Sequence, residues 1–247
     1  MDAQSLTADS EIESIALDRL FRVPSEVYRG MLEHGLFRAD EVALADGLLV
    51  EGAGGDPSER LYRMPLDVYD RVAELGLLTS SDKVELLDGL LVKIMTRGNR
   101  HIAVTRLIWR ALDGVVPAGW LVAKEDPVAL PGGPSGFDSE PEPDVSVLRG
   151  GIRDYLDRKP GPRDAVLVVE VAETSLRGDR AKLVRYARAG VPTAWLVNLI
   201  DGTVEVHSEP SAAGIYQEMT IHHGAGEVPV VIDGLEVGRL AVADLLP

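Results

Sequence analysis

"AVLVVEV" (165–171) decides the fold. Apart from one acid it is apolar throughout, without the alternation of a half-exposed strand. It therefore reads as a strand covered on both faces, the kind that lies in the middle of a sheet carrying helices on each side. The exception is Glu170. A lone carboxylate in such a strand is costly to bury unless it is paired or metal-bound, so this residue asks for a partner.

Further strand candidates surround it: "WLVAKEDPVAL", "PDVSVL", "TAWLVNL", "TVEVHS", "IYQEMTIH" and "VPVVI". An amphipathic helix is expected over 98–116, with Ile102, Leu107, Ile108, Ala111 and Leu112 toward a core. A second helix over 179–189, ended by Gly190, lies between two of the strands. The class is α/β, a mixed central sheet flanked by helices. The Gly/Pro-rich loop "PGGPSGFDSEPEP" (131–143) is expected to be mobile.

Upstream the chain repeats itself. "RVPSEVYRGMLEHGLF" (22–37) aligns with "RMPLDVYDRVAELGLL" (63–78), and "EVALADGLLVEG" (41–52) with "KVELLDGLLVKI" (83–94). Each copy reads as a helix opened by proline and closed by Gly35 or Gly76. A hairpin follows, turning at Asp-Gly, with strands near 83–87 and 90–95 in the second copy. This predicts a duplicated N-terminal helix-hairpin unit, with "GAGGDPSER" (52–60) as linker. The expected division is an acidic extension over 1–59, holding the degenerate copy, and a second domain over 60–247. Glu85 of the second copy answers to Ala43 of the first.

Composition excludes several classes. The 247 residues are 45% hydrophobic, enough for a sizeable core. With no cysteine there are no disulfides and no thiolate ligands or nucleophiles, so a metal must be held by Asp, Glu, His or backbone oxygen. The N-terminus lacks the basic and apolar parts of a signal peptide, and no run reaches membrane-spanning length, so a cytoplasmic protein without membrane partners is expected. Motifs for P-loop, dinucleotide, serine-hydrolase and zinc-protease chemistry are absent. The net charge of -15 argues against a general nucleic-acid-binding surface. Residues 149–188 nevertheless hold 10 bases against 6 acids, whereas 1–95 hold 9 bases against 19 acids.

The candidate chemistry rests on acids in predicted strands. Asp144 opens "PDVSVL" and Glu170 follows it with 25 residues between them; an arginine ion pair would explain either acid alone. With Glu85 and a downstream lysine, the set suits magnesium, which takes hard oxygen ligands and retains waters. Glu142, two residues before Asp144, would point the same way if the strand began early. His101 opens a helix, where a phosphate contact, acid–base chemistry and a purely structural role all remain open. His222 and His223 would point to opposite faces of a strand and make a poor ligand pair.

"PDV" followed by "LVVEVAE" resembles the acid pair of the PD-(D/E)xK nuclease superfamily. From about 63 to 247 the chain is similar, more specifically, to the Uma-type family of restriction-endonuclease-like proteins. The likeness lies in "VELLDGLLV", "HIAVTRLIWRAL", "PDVSVL", "LVVEVAETS" and "DRAKLVRYARAGVPTAWLV", in that order. The resemblance implies a restriction-endonuclease-like fold, a metal (Mg2+, or Mn2+ in its place) held by Asp144, Glu170 and Glu85, and Lys182 orienting the attacking water. The wider superfamily has its lysine two residues after the second acid, where this chain has Ala172; here Lys182 on the following helix takes that part. Lys182, Arg185 and Tyr186 would share a face of that helix, with Leu183, Val184 and Ala187 toward the core.

The implied activity is metal-dependent endonucleolytic hydrolysis of nucleic acid, with DNA as the expected substrate and Arg177, Arg180, Arg185 and Arg188 contacting phosphate. A homodimer would suit the cutting of two strands. The rival reading is a nuclease-fold binding or regulatory module that has lost cleavage and acts through protein partners of its N-terminal unit.

Overall fold

The computed structural model describes residues 15–52, 56–132, 136–173 and 176–246, with nothing of the side chain at 177. The start of the acidic N-terminus, the middle of the expected linker, part of the 131–143 loop and the "TS" after Glu173 lie outside the described residues. By contacts the chain divides into a smaller unit (12–95 and 131–140) and a larger one that includes 96–130 and 141–247.

The smaller unit runs α1 (Ser25–Glu33), β1 (Val42–Ala45), β2 (Leu48–Glu51), α2 (Leu66–Glu74), β3 (Val84–Leu87) and β4 (Leu90–Lys93). The residues shared by the two repeats do the same work in each. Pro24 and Pro65 stand immediately before their helices. Gly35 and Gly76, both at φ 68°, close them. The following N–H reaches back to a carbonyl one turn earlier: Leu36 to Met31 and Leu77 to Val72, both 3.0 Å. Each hairpin turns on Asp-Gly with both φ angles positive (50° and 78°, 48° and 74°), as the twist of paired strands requires. Tyr28 and Tyr69 donate their hydroxyls to the carbonyls of Val42 and Val84. Arg22 and Arg63 donate to the turn carbonyls of Asp46 and Asp88, both at 2.8 Å.

The repeats also exchange backbone. Phe21 N–H donates to Leu91 O and Tyr62 N–H to Leu49 O, both 2.9 Å, with matching bridges at Leu20–Val92 and Val50–Leu61. The stretch leading into each helix thus covers the second strand of the other copy. Within the 131–143 loop, Asp138 to Glu140 are fastened to the β3–β4 hairpin, contrary to the expected mobility. Gly89 N–H meets Asp138 O, Asp88 N–H meets Ser139 Oγ, and Glu140 N–H meets Leu86 O.

The larger unit contains α3 (Asn99–Val115), β5 (Trp120–Ala123), β6 (Val145–Arg149), β7 (Ala165–Ala172), α4 (Leu176–Ala189), β8 (Thr193–Asn198), β9 (Thr203–Pro210), β10 (Tyr216–His223), β11 (Glu227–Ile232), β12 (Leu235–Ala241) and α5 (Val242–Leu245). Its six-stranded sheet has the order β10-β9-β8-β7-β6-β5, with β7 and β8 parallel and the other neighbours antiparallel. The expected mixed sheet flanked by helices is therefore present, with "AVLVVEV" inside and all eight residues of β7 buried. One face packs under α3 and the β11–β12 hairpin, the other under α4.

Three expectations shift. The buried stripe of α3 is His101, Val104, Thr105, Ile108 and Leu112, while Leu107 is 41% exposed, because one turn of 3.6 residues carries it past the core-facing side. In "WLVAKEDPVAL" the strand ends at Ala123, and the chain then turns at Glu125 with φ 58°. The β11–β12 hairpin was not anticipated beyond β11, although Asp233-Gly234 is the same turn signal as Asp88-Gly89.

The turn glycines give a test. A Cβ on Gly76 would meet nothing within 4 Å, whereas one on Gly89 would lie 3.0 Å from Arg63 Cα and 3.1 Å from Arg63 C. Gly76→Ala should cost about 1–2 kcal/mol, the left-handed backbone term alone. Gly89→Ala must also displace backbone, and should show the lower midpoint of the two in urea unfolding.

Candidate active site

Two neighbouring strands place the first acids. Val145 on β6 lies opposite Val169 on β7, and continuing that antiparallel register by one residue sets Asp144 beside Glu170. Directly opposed residues share a face and hold their Cβ atoms about 5 Å apart. Both are buried, at 3% exposure each. Asp144 Oδ2 accepts the N–H of Val171 at 2.7 Å, which fixes its carboxylate at that end of β7.

Lys182 comes from α4, which starts just beyond β7 and runs back over its face. Its Nζ lies 3.7 Å from Glu170 Oε2. One turn further on, Tyr186 donates its hydroxyl to Glu170 Oε1 at 2.7 Å. Tyr186 is fully buried, as are Leu183, Ala187 and Arg185, so the polar face expected of Lys182, Arg185 and Tyr186 is folded into the protein. Burial pushes the Glu170 carboxyl well above its ordinary range. Lys182 pulls it down, Asp144 and Asp179 push it up, and the Tyr186 hydrogen bond pulls it down again.

Asp144 is held from its other side by α3 and the segment before it. His101 Nε2 lies 3.2 Å from Asp144 Oδ2, and Arg97 Nε lies 3.3 Å from Oδ1. His101 Nδ1 faces Thr105 Oγ1 at 3.4 Å, so the ring is set by its own helix and turned onto the acid. Arg97 also reaches Glu125 Oε1 at 3.2 Å. Glu125 carries the left-handed backbone noted above, and its N–H donates to Asp144 O at 3.3 Å. A non-glycine residue held at positive φ marks local backbone strain, here beside the buried acids.

Asp144, Glu170, Lys182 and His101 are thus brought together within the larger unit. Glu85 is buried on β3 of the smaller unit, opposite Val92. Glu142 is half-buried between Pro141 and Pro143; β6 begins only at Val145, so no strand aligns Glu142 with Asp144. The basic island is not an open row. Arg180 Nη2 is bonded to Glu205 Oε1 at 2.6 Å, and Arg185, 5% exposed, donates to Ala181 O. Arg188 is half-buried, and the side chain of Arg177 lies outside the described residues. Sequence reasoning missed Arg97 and Glu125, whose parts come from loop geometry that no motif announces. It also missed the bond of Tyr186 to Glu170, which the spacing of four from Lys182 could have suggested.

Among the described residues no three His, Cys, Asp or Glu side chains gather closely enough to form a metal cage on their own. Also among them, no helix is long and apolar enough to cross a membrane.

The fold is similar to that of a crystal structure from Anabaena variabilis described as "a putative nuclease belonging to DUF820", with a TM-score of 0.50 and 17% sequence identity over 66% of this chain and 88% of that one. That likeness is one of fold. The chain belongs to the Uma2 family, described as "Putative restriction endonuclease", whose profile matches residues 67–243 and so starts within the second helix-hairpin copy. No curated protein matches the chain.

The raised Glu170 has a consequence for stability. Its folded carboxyl holds a proton more tightly than the unfolded one, so its ionisation opposes folding. That cost is absent in acid, grows as pH rises from the unfolded value toward the folded one, and is complete above the latter. With EDTA present, Glu170→Gln should unfold at a higher urea midpoint than wild type at neutral and alkaline pH, and the gain should vanish in acid.

Proposed function

We propose that this protein is a metal-dependent nuclease that hydrolyses phosphodiester bonds, with DNA as its substrate. The observation that carries the reading is the pair of buried carboxylates, Asp144 and Glu170, side by side with the Lys182 ammonium 3.7 Å from the second. Family membership supports it, since the family carries the description "Putative restriction endonuclease".

The residues fit a hard divalent ion. Glu170 is disfavoured as an anion by burial and by its neighbour Asp144, and a cation held there would relieve both effects. Two carboxylates without a closed cage suit magnesium or manganese, which keep waters and take further oxygen from substrate phosphate. Asp144 and Glu170 would hold the ion, with Glu85 as a further acid on the strength of the family resemblance. When bound, the ion supplies a more acidic water and neutralises charge on the phosphoryl oxygens.

This chain's own groups do the rest. Lys182, 3.7 Å from Glu170, orients the water and stabilises negative charge building on the phosphate. Tyr186 fixes the rotamer of Glu170, while His101, Arg97 and the Val171 N–H fix that of Asp144. Arg180, 54% exposed even while bonded to Glu205, and Arg188 on the same helix contribute to binding the phosphate backbone. The excess of acids elsewhere repels a polyanion, which favours weak or structure-selective binding over tight sequence recognition. We further propose that the two helix-hairpin copies arose by duplication, which their matched hydrogen bonds support, and that the acid serves chemistry in the second copy alone.

Supercoiled plasmid should be nicked by wild type in magnesium or manganese and left intact in EDTA. Glu170→Ala should abolish nicking, and Lys182→Ala should lower its rate by about two to three orders of magnitude. Plasmid cut equally well by Glu170→Ala, or in EDTA, would overturn the assignment. Glu85→Ala should lose metal-dependent nicking while its circular dichroism and urea midpoint stay close to wild type; full activity in that variant would remove Glu85 from the reaction.

A further inference from the structure

The two ends of the six-stranded sheet are unlike. β5 is four residues long, a short edge that offers little to pair with. β10 is eight residues long, pairs with β9 alone in the sheet, and is exposed from Gln217 through Ile221. Natural edge strands are usually guarded by lysine, proline, a bulge or brevity. "YQEMTIHH" (216–223) has no proline, glycine, lysine or arginine, and it holds Met219 (54% exposed) and Ile221 (49%) in the open.

The sequence of this edge is complementary to itself. Two copies of one strand can extend a sheet antiparallel about a two-fold axis normal to it, and opposed side chains then share a face, so the axis must pass through a residue position. Centred on Thr220, the pairing sets Met219 against Ile221 of the partner subunit twice, an apolar patch on one face. It also sets Glu218 against His222 of the partner subunit twice on the other face, a carboxylate opposite an imidazole. Neighbouring centres lose this match. Centring on Met219 opposes Gln217 to Ile221, and centring on Ile221 opposes Met219 to His223. The chain as a whole carries -15, which keeps copies apart, but β10 contains a single carboxylate, Glu218.

We propose that the protein is a homodimer joined edge to edge through β10, two-fold about Thr220, so that the two sheets run on as one of twelve strands. The occupant of the edge is a second copy of this chain, because the strand matches itself in both polarity and apolar contact. The proposal does not rest on the nuclease reading, and its test does not use cleavage.

Sedimentation equilibrium of the full chain should give twice the monomer mass. Glu218→Arg removes the carboxylate that faces the His222 imidazole of the partner subunit and puts a second donor group in its place, which should weaken dimerisation about tenfold. Ile221→Lys, which installs the missing edge guard, should do the same through the other face. Glu218→Arg combined with His222→Glu sets a guanidinium against a carboxylate and should return the dimer. A wild-type monomer at every concentration, which would leave the edge to another kind of partner, overturns the proposal. So does a dimer indifferent to both single substitutions, or a double variant no tighter than Glu218→Arg.

Discussion

A carboxylate fixed in the middle strand of a sheet that is covered on both faces is the constraint around which the larger unit is organised. Leaving Glu170 ionised and alone there would cost on the order of several kcal/mol. The protein does not remove the cost; it distributes it. Lys182 brings a positive charge near without closing to a tight salt bridge and Tyr186 donates one hydrogen bond, while Asp144 adds a like charge across the ladder. The result is an acid held in one geometry but not electrostatically satisfied, a state that a structural ion pair would have avoided. Helix α4 follows β7 closely and returns its lysine and tyrosine to that strand.

Much of this was legible in the chain. β7 announced itself by an unbroken apolar run, and Glu170 by interrupting it; Asp144 followed from its place at the mouth of the next strand candidate. The two Asp-Gly turns and the helix-closing glycines were readable because a positive φ restricts residue choice so strongly. What the chain hid were contacts that depend on where loops travel. Arg97 is an ordinary basic residue until the segment before α3 carries it to Asp144, and nothing local to Glu125 signals its left-handed backbone. The arginines of α4 show the opposite failure. A basic island in one dimension suggested a row of phosphate contacts, yet Arg185 is buried and donates to Ala181 O of its own helix, and Arg180 is attached to Glu205 of another strand.

The smaller unit is explained by a different economy of backbone groups. A two-stranded hairpin alone is marginal in water, and each of the two here leaves an edge to be covered. The stretch before each helix covers the other copy's second strand, by Phe21 to Leu91 and Tyr62 to Leu49. The turn arginines, Arg22 and Arg63, then hold each turn against the stretch that enters its own helix.

That reciprocal cover sets what can drift and what cannot over generations of descent. Deleting either repeat would strip the shelter from the survivor's open strand, so neither can be discarded piecemeal once the exchange exists. Individual side chains that take no part in the exchange are under no such bond. Position 43 is one of these: alanine there still pairs with Val50 through its backbone, and the repeat keeps its place in the architecture whatever its side chain once was or never became. Retention of a whole repeat and free variation of its side chains are therefore compatible outcomes of one arrangement.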